Sequence, residues 1–324
     1  MAREGALTLG HTQFVLLLHS VPYLGEKTLT RLLRTNARLR ITPEEFLLLS
    51  PTEWQTRYEI DPRAADYLQR HQEKLLVLSA DLARTVRAHD MQVLTSESMT
   101  YPQSIEQYDD SPPPILYAQG NPDLLDADEL HRHGKFTFTI AVSNGAPTES
   151  LVYLDQIAPS LVQAGGIPVT GHDRAPYKRL ALAAQRLNRP IIYVMDRGLR
   201  EALGPDFDRP PFAAARIREA VFDVHRDLAL SPFRLDDHSL GANNRRRDRM
   251  VFALADLVIA VDINAGGVME AACQRSHAQG RPVWVAAGGR EGNAALLAAG
   301  CPALPEEPER TEAVLNALSL GPMA

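Results

Sequence analysis

Two hydrophobic periods divide the chain. Up to about residue 90 the apolar positions fall at helical spacing. FVLLLHSVPYLGEKTLTRLLRTNARLR carries that spacing across Pro22 and Gly25, which predicts two helices joined by a tight turn. TPEEFLLL and SPTEW each set Ser or Thr before Pro and acids, the signature of a helix start. DPRAADYLQRHQEKLLVLSADLARTVRAHD then reads as one long helix. From about Met91 short apolar runs alternate with helical stretches. MQVLTSES is strand-like, and YDDSPPPILYAQGN is a loop running into a short strand. FTFTIAVS precedes a helix over about 148–164, and IPVTG precedes one over 176–187. PIIYVMD is followed by FAAARIREAVFDVH, DLVIAVDI by GVMEAACQRSHA, and PVWVAAG by NAALLAAG. Apolar strands that each feed a helix are buried on both faces of a parallel sheet. The prediction is an α/β fold: an extended Rossmann-like open parallel sheet with a small helical N-terminal module. The boundaries read as 1–88 for the helical module, 89–304 for the core and 305–324 for an acidic tail with at most one short helix.

Composition narrows the function. At 324 residues the chain has room for two domains, or for one large domain with an appendage. Its formal net charge of −6 excludes a surface that binds nucleic acid everywhere, so any phosphate-binding face is a local patch. Cys273 and Cys301 form no metal or disulfide pattern and read as core residues. No cofactor is implied. MAREGALTLG lacks the apolar stretch of a signal peptide. The run Met250 to Ile263 is interrupted by Asp256 and Asp262 and is too short to cross a bilayer. A cytoplasmic protein without membrane insertion is expected.

Open α/β sheets bind ligands at the carboxyl ends of their strands. Those ends fall at Ser143-Asn144-Gly145, Gly171-His172-Asp173, Asn264-Ala265-Gly266-Gly267, and Gly288-Gly289 with Asn293 nearby. Gly and small polar residues let backbone N–H groups approach an anion, although Gly also simply closes short turns. The densest charge is Arg245, Arg246, Arg247 and Arg249 around Asp248, opening the helix RDRMVFALA. Arginines at a helix N-terminus call for an anion. It is either a phosphate or an acid of the protein, such as Asp236 or Asp237. Lys178 and Arg179 extend the basic edge. His172 and Asp173 are candidates for an acid/base pair or for an ordinary turn. Gly-x-Ser-x-Gly, a Walker loop with Lys, and His pairs at metal spacing are absent.

Several stretches together resemble the DNA-processing protein A (DprA, or Smf) family of bacterial natural transformation. YPQSIEQYDDSPPPILYAQGNPDLL is similar to the opening of that family's core domain. RRDRMVFALADLVIAVDI resembles its Arg-Arg-Asn-Arg helix and following strand, and GRPVWVAAGGREGNAALLAAGCPAL its closing segment. VPYLGEKTLTRLL is similar to its helix–hairpin–helix or SAM-like module. The resemblance implies a homodimer without enzymatic activity that binds single-stranded DNA and loads the recombinase RecA. The family's Arg-Asn-Arg element falls on Arg247, Asp248 and Arg249. Its turns fall on Ser143–Gly145, on Thr170 and Gly171, and on Gly266–Met269. The chain departs from the pattern at Tyr23, Gly145, Asp248, Pro232 and the short loop after Gly171, mostly at the ligand edge. Two other readings compete. One is a nucleotide sensor or phosphoribohydrolase-like protein on a related fold, with Glu270 either catalytic or merely favourable to a helix dipole. The other is an interaction protein that keeps the scaffold and has lost DNA.

Overall fold

The computed structural model describes residues 9–171, 174–210 and 221–319. They form two compact units. One runs up to Tyr101 and takes in Pro113–Tyr117; the other comprises Pro102–Pro112 and the chain from Ala118 onward.

The first unit contains α1 (His11–Ser20), α2 (Glu26–Leu39), α3 (Pro43–Leu47), α4 (Pro51–Tyr58), α5 (Pro62–Arg70), α6 (Gln72–Ala88) and β1 (Gln92–Thr95). Tyr23, in the expected turn after α1, holds φ at 63°, a left-handed conformation that usually falls to glycine. α3 and α4 both open with capping boxes, Thr42 with Glu45 and Ser50 with Glu53. The long helix expected over 61–90 is in fact two. His71 leaves the helical region between α5 and α6, at φ −119° and ψ 18°. Buried Ala64, Leu68, Leu75, Ser79 and Ala83 keep helical spacing across that break, so periodicity runs straight through it. Phe46 centres the core, edge-on to Phe14 and Tyr58. The Trp54 indole donates to the Phe46 carbonyl at 2.9 Å.

The chain continues with α7 (Gln103–Tyr108) and β2 (Ile115–Gly120), whose first three residues belong to the first unit. A 3-10 turn (Pro122–Leu125), α8 (Ala127–Arg132), β3 (Phe136–Val142), α9 (Thr148–Gln163), β4 (Gly166–Gly171) and α10 (Ala175–Arg186) follow. Then come β5 (Ile192–Val194), α11 (Leu199–Leu203), β6 (Leu228–Ser231), α12 (Gly241–Leu254), β7 (Leu257–Asp262) and α13 (Val268–Ala278). β8 (Val283–Val285), α14 (Glu291–Ala298) and α15 (Glu309–Ala317) complete the second unit. The helix expected over 212–225 falls largely on residues outside the described ones, and Val221–Asp223 are not helical.

In the second unit the strands are ordered β2-β6-β5-β4-β3-β7-β8. The pairings β3–β4, β4–β5, β5–β6, β3–β7 and β7–β8 are all parallel, which gives the Rossmann-like sheet the alternating pattern predicted. β3, β4 and β7 are buried at every position, the reason their sequences are continuous rather than alternating apolar runs. From β3 the chain winds outward through β4, β5 and β6, then returns to lay β7 on the other flank of β3. The carboxyl ends of β3 and β7 therefore border the topological switch point, where such sheets hold ligands. Cys273 and Cys301 are free and buried among Val258, Val283 and Val285, core residues as expected. Among the described residues no helix is long and apolar enough to cross a membrane.

Candidate nucleic-acid interface

The switch point is occupied by the protein's own groups. Ser143, at the end of β3, donates its N–H to the Asp262 carbonyl at 2.9 Å. Its Oγ accepts from the Asn264 N–H, also at 2.9 Å, stapling the β3 loop to the β7 loop. Arg290, which the sequence reading passed over, crosses the same point. Its Nε lies 3.2 Å from the Asp262 carboxylate, and its Nη1 donates to the Asn144 carbonyl at 3.3 Å. It also donates to Asn264 Oδ1 and to the Gly145 carbonyl. Asn144 itself is exposed. The only advance signal for Arg290 was its place directly after Gly288-Gly289.

Several expected anion contacts are corrected by this geometry. Asn293 is 1% exposed. Its Oδ1 accepts from the Ile263 N–H at 3.0 Å, and its Nδ2 donates to the carbonyls of Val261 (3.0 Å) and Ala286 (3.2 Å). It brackets the ends of β7 and β8 and has nothing left for a ligand. The Gly266 N–H donates to the Glu270 carboxylate, and the Gly267 N–H to the Asn264 carbonyl. The amides expected to cradle a phosphate are thus spent inside the turn. Glu270 is the third residue of α13 and also accepts from Gln274 at 3.0 Å, so its carboxylate caps the helix. At Gly171 a Cβ would lie 2.5 Å from the Tyr177 ring and 2.7 Å from Arg247 Cδ. Close packing, not approach to an anion, requires glycine there. Lys178 is half-buried in the first turn of α10, and His172 and Asp173 lie outside the described residues.

The arginine helix also differs from expectation. α12 begins at Gly241, so Arg245–Arg249 lie past its first turn, where the terminal dipole no longer repels them. Arg247 is 1% exposed. Its Nε and Nη2 donate to Asp248 Oδ1 at 3.0 and 2.8 Å, and its Nη1 donates to Asn244 at 2.8 Å. Asp196, at the end of β5, stands 3.6 Å away. Tyr177 packs under the guanidinium and donates its hydroxyl to Asp248 at 2.7 Å. Burial, reinforced by the Asp248 charge, pushes that hydroxyl well up, so it stays protonated and keeps donating. Arg174 reaches Asp248 at 3.6 Å and Arg197 reaches Asp196 at 2.9 Å. Arg249 donates to the buried Asp109 at 2.9 Å. Arg246 lies over the Phe233 ring, and burial together with Arg249 pulls it down to about 10, still protonated at neutral pH. For Arg247 and Arg249 the counter-anion is therefore a carboxylate of the protein. It comes from Asp248, Asp196 and Asp109 rather than from Asp236, which holds Arg200.

Arg245 remains exposed, with no partner among the described residues. α12 and α13 both start at the carboxyl edge and run away from it, one leading into β7 and the other leading out. Between them lies a cleft of about 230 Å³. Arg245, Arg249 and Arg275 line it over an apolar floor of Phe252, Met269 and Ala272, with Tyr108 of α7 on its wall. Arg275 pairs with Asp110 at 3.0 Å, and both side chains are exposed. Arg281, pulled down to about 10 by burial, donates to the Ala255 carbonyl at 2.9 Å and stacks 4.3 Å over Tyr108.

No family model matches the chain, and no curated protein matches it. Solved structures do. DNA processing protein A (DprA) from Streptococcus pneumoniae is 16% identical, with a TM-score of 0.66 over 90% of this chain and 94% of that one. DNA processing protein A from Helicobacter pylori, solved for its single-stranded DNA binding mode, is 20% identical. Its TM-score is 0.53 over 69% of this chain and 96% of that one. The chain has the fold of DNA processing protein A.

Proposed function

We propose that this chain binds single-stranded DNA in DNA processing and is not an enzyme. The observation that carries the reading is the fold, shared over nine-tenths of the chain with one DNA processing protein A and over two-thirds with another. A DprA-like role extends it: a homodimer formed through the sheet-bearing unit that passes the bound strand to a recombinase such as RecA during natural transformation. Glu270 supports the non-enzymatic side, because its carboxylate is held by the turn it caps.

The rim sets the expected strength. Along it Arg174, Arg197, Arg247 and Arg290 face Asp196, Asp248 and Asp262, which leaves one net positive charge. A strand crossing the rim finds the outer N–H groups of half-buried Arg174, Arg197 and Arg290 but little uncompensated field. Binding is therefore weak and tolerant of sequence, and it weakens with salt in proportion to the few phosphates contacted. Fluorescence anisotropy with labelled oligothymidine across a salt series tests this. Affinity falls as salt rises, by about 0.7 log units per log unit of salt for each phosphate contacted. No binding at the lowest salt refutes the reading. Light scattering on the eluting protein tests the homodimer separately.

A further inference from the structure

The geometry points to the cleft between α12 and α13 as a seat for a single nucleotide, with its phosphate on Arg245 and Arg275 and its base on the apolar floor. This rests on the DNA reading for its biological source, but not for its chemistry. Arg245 and Val268 line the cleft near the starts of α12 and α13, at the carboxyl edge, and Arg275 and Arg281 line it toward the other end of those helices.

The arginines of the cleft differ in how firmly they are held. Arg281 is fixed by backbone carbonyls and by Ser276 Oγ at 2.9 Å, so it shapes the wall. Arg249 is tied to Asp109, whose side chain is fully buried, and exchanging that carboxylate for a phosphate would strand a buried charge. Arg245 has no partner among the described residues to give up. Among the described residues Arg275 has only Asp110, in an exposed pair of the kind that contributes little net stability, so a phosphate can displace it at small cost. Guanidinium forks suit phosphate oxygens.

The rest of the lining suits a base. At about 230 Å³ the cleft is smaller than the roughly 300 Å³ at which sites for drug-sized ligands begin, the scale of one nucleotide rather than a longer segment. Phe252, Met269 and Ala272 supply an apolar floor, and Val268, also in the lining, is 58% exposed. Tyr108 lines the wall with the Arg281 guanidinium stacked 4.3 Å over its ring, which fixes its place beside the apolar floor.

The test titrates the full-length protein with thymidine monophosphate and with oligothymidine at fixed low salt, by calorimetry and anisotropy. Arg245→Ala and Arg275→Ala each weaken both probes by about tenfold, the range of a charge-assisted contact. Asp110→Asn, which frees Arg275, tightens both. All the altered side chains are exposed, and unchanged thermal melts exclude unfolding as the cause. If the double arginine variant binds oligothymidine as well as the unaltered protein does, the cleft is overturned and the DNA reading stands. If the unaltered protein binds the mononucleotide through these arginines but not the oligonucleotide, the cleft stands and the DNA reading falls. If it binds neither probe, both are overturned.

Discussion

Replacing Arg247 by alanine separates a ligand-binding arginine from a structural one. The side chain gives two hydrogen bonds to Asp248 and one to Asn244, and is 1% exposed. Its removal leaves Asp248, itself 5% exposed, with Arg174 at 3.6 Å and the Tyr177 hydroxyl as its partners among the described residues. Breaking a buried pair from one side costs about 3–5 kcal/mol, because the orphaned charge stays desolvated. At about 2 °C per kcal/mol for a chain of this length, the melting temperature falls by roughly 6–10 °C. Circular dichroism melts and urea titrations measure it. Arg247→Lys recovers little, since one ammonium cannot reproduce a fork directed at two acids and an amide. A variant that melts like the unaltered protein while losing affinity for oligothymidine would show that Arg247 serves the ligand, and would refute the internal-pairing account.

Asn293→Ala strands three backbone groups at the ends of β7 and β8, and should cost roughly 3 kcal/mol, about 1 per lost partner, in urea denaturation. Gly171→Ala drives a Cβ into Tyr177 and Arg247 and should destabilise by about 1–3 kcal/mol, again read by denaturation. Glu270→Ala loses the cap of α13, at about 0.5–2 kcal/mol; neither it nor the unaltered protein should release base from nucleoside monophosphates, and any release would restore the enzyme reading. The hydrogen bond to Asp256 raises His131 above its ordinary 6.5. The folded value then exceeds the unfolded one, so this stabilisation is full below 6.5 and is lost as pH rises through the raised value. Melts of the unaltered protein and of His131→Gln on either side of that window should converge at the alkaline end.

Strand runs such as FTFTIAVS and LVIAVD were legible because a strand buried on both faces has no choice of composition. Capping boxes at Thr42 and Ser50 were legible because they are local. The break at His71 was not, since the buried positions keep their period through it. Nor was the start of α12, where no side-chain cap marks Leu240. The candidate site was read as a place but not as a set of contacts. The glycine-bearing turns do lie at the strand ends, yet Ser143 and Asn293 spend their hydrogen bonds on neighbouring loops, and Gly266 and Gly267 theirs within their own turn. Arg290 carried no spacing that linked it to Asp262 or to Asn144.

What the sequence by itself determined is the order of elements, the parallel sheet and the presence of concentrated arginine, because burial period and charge density are properties of neighbours in the chain. What only the tertiary structure decided is the destination of that charge. Asp109 reaches Arg249 from 140 positions away and Asp196 approaches Arg247 from another strand end. The energy of a guanidinium depends on which carboxylates surround it and how far water is excluded, and no period in the sequence records either distance.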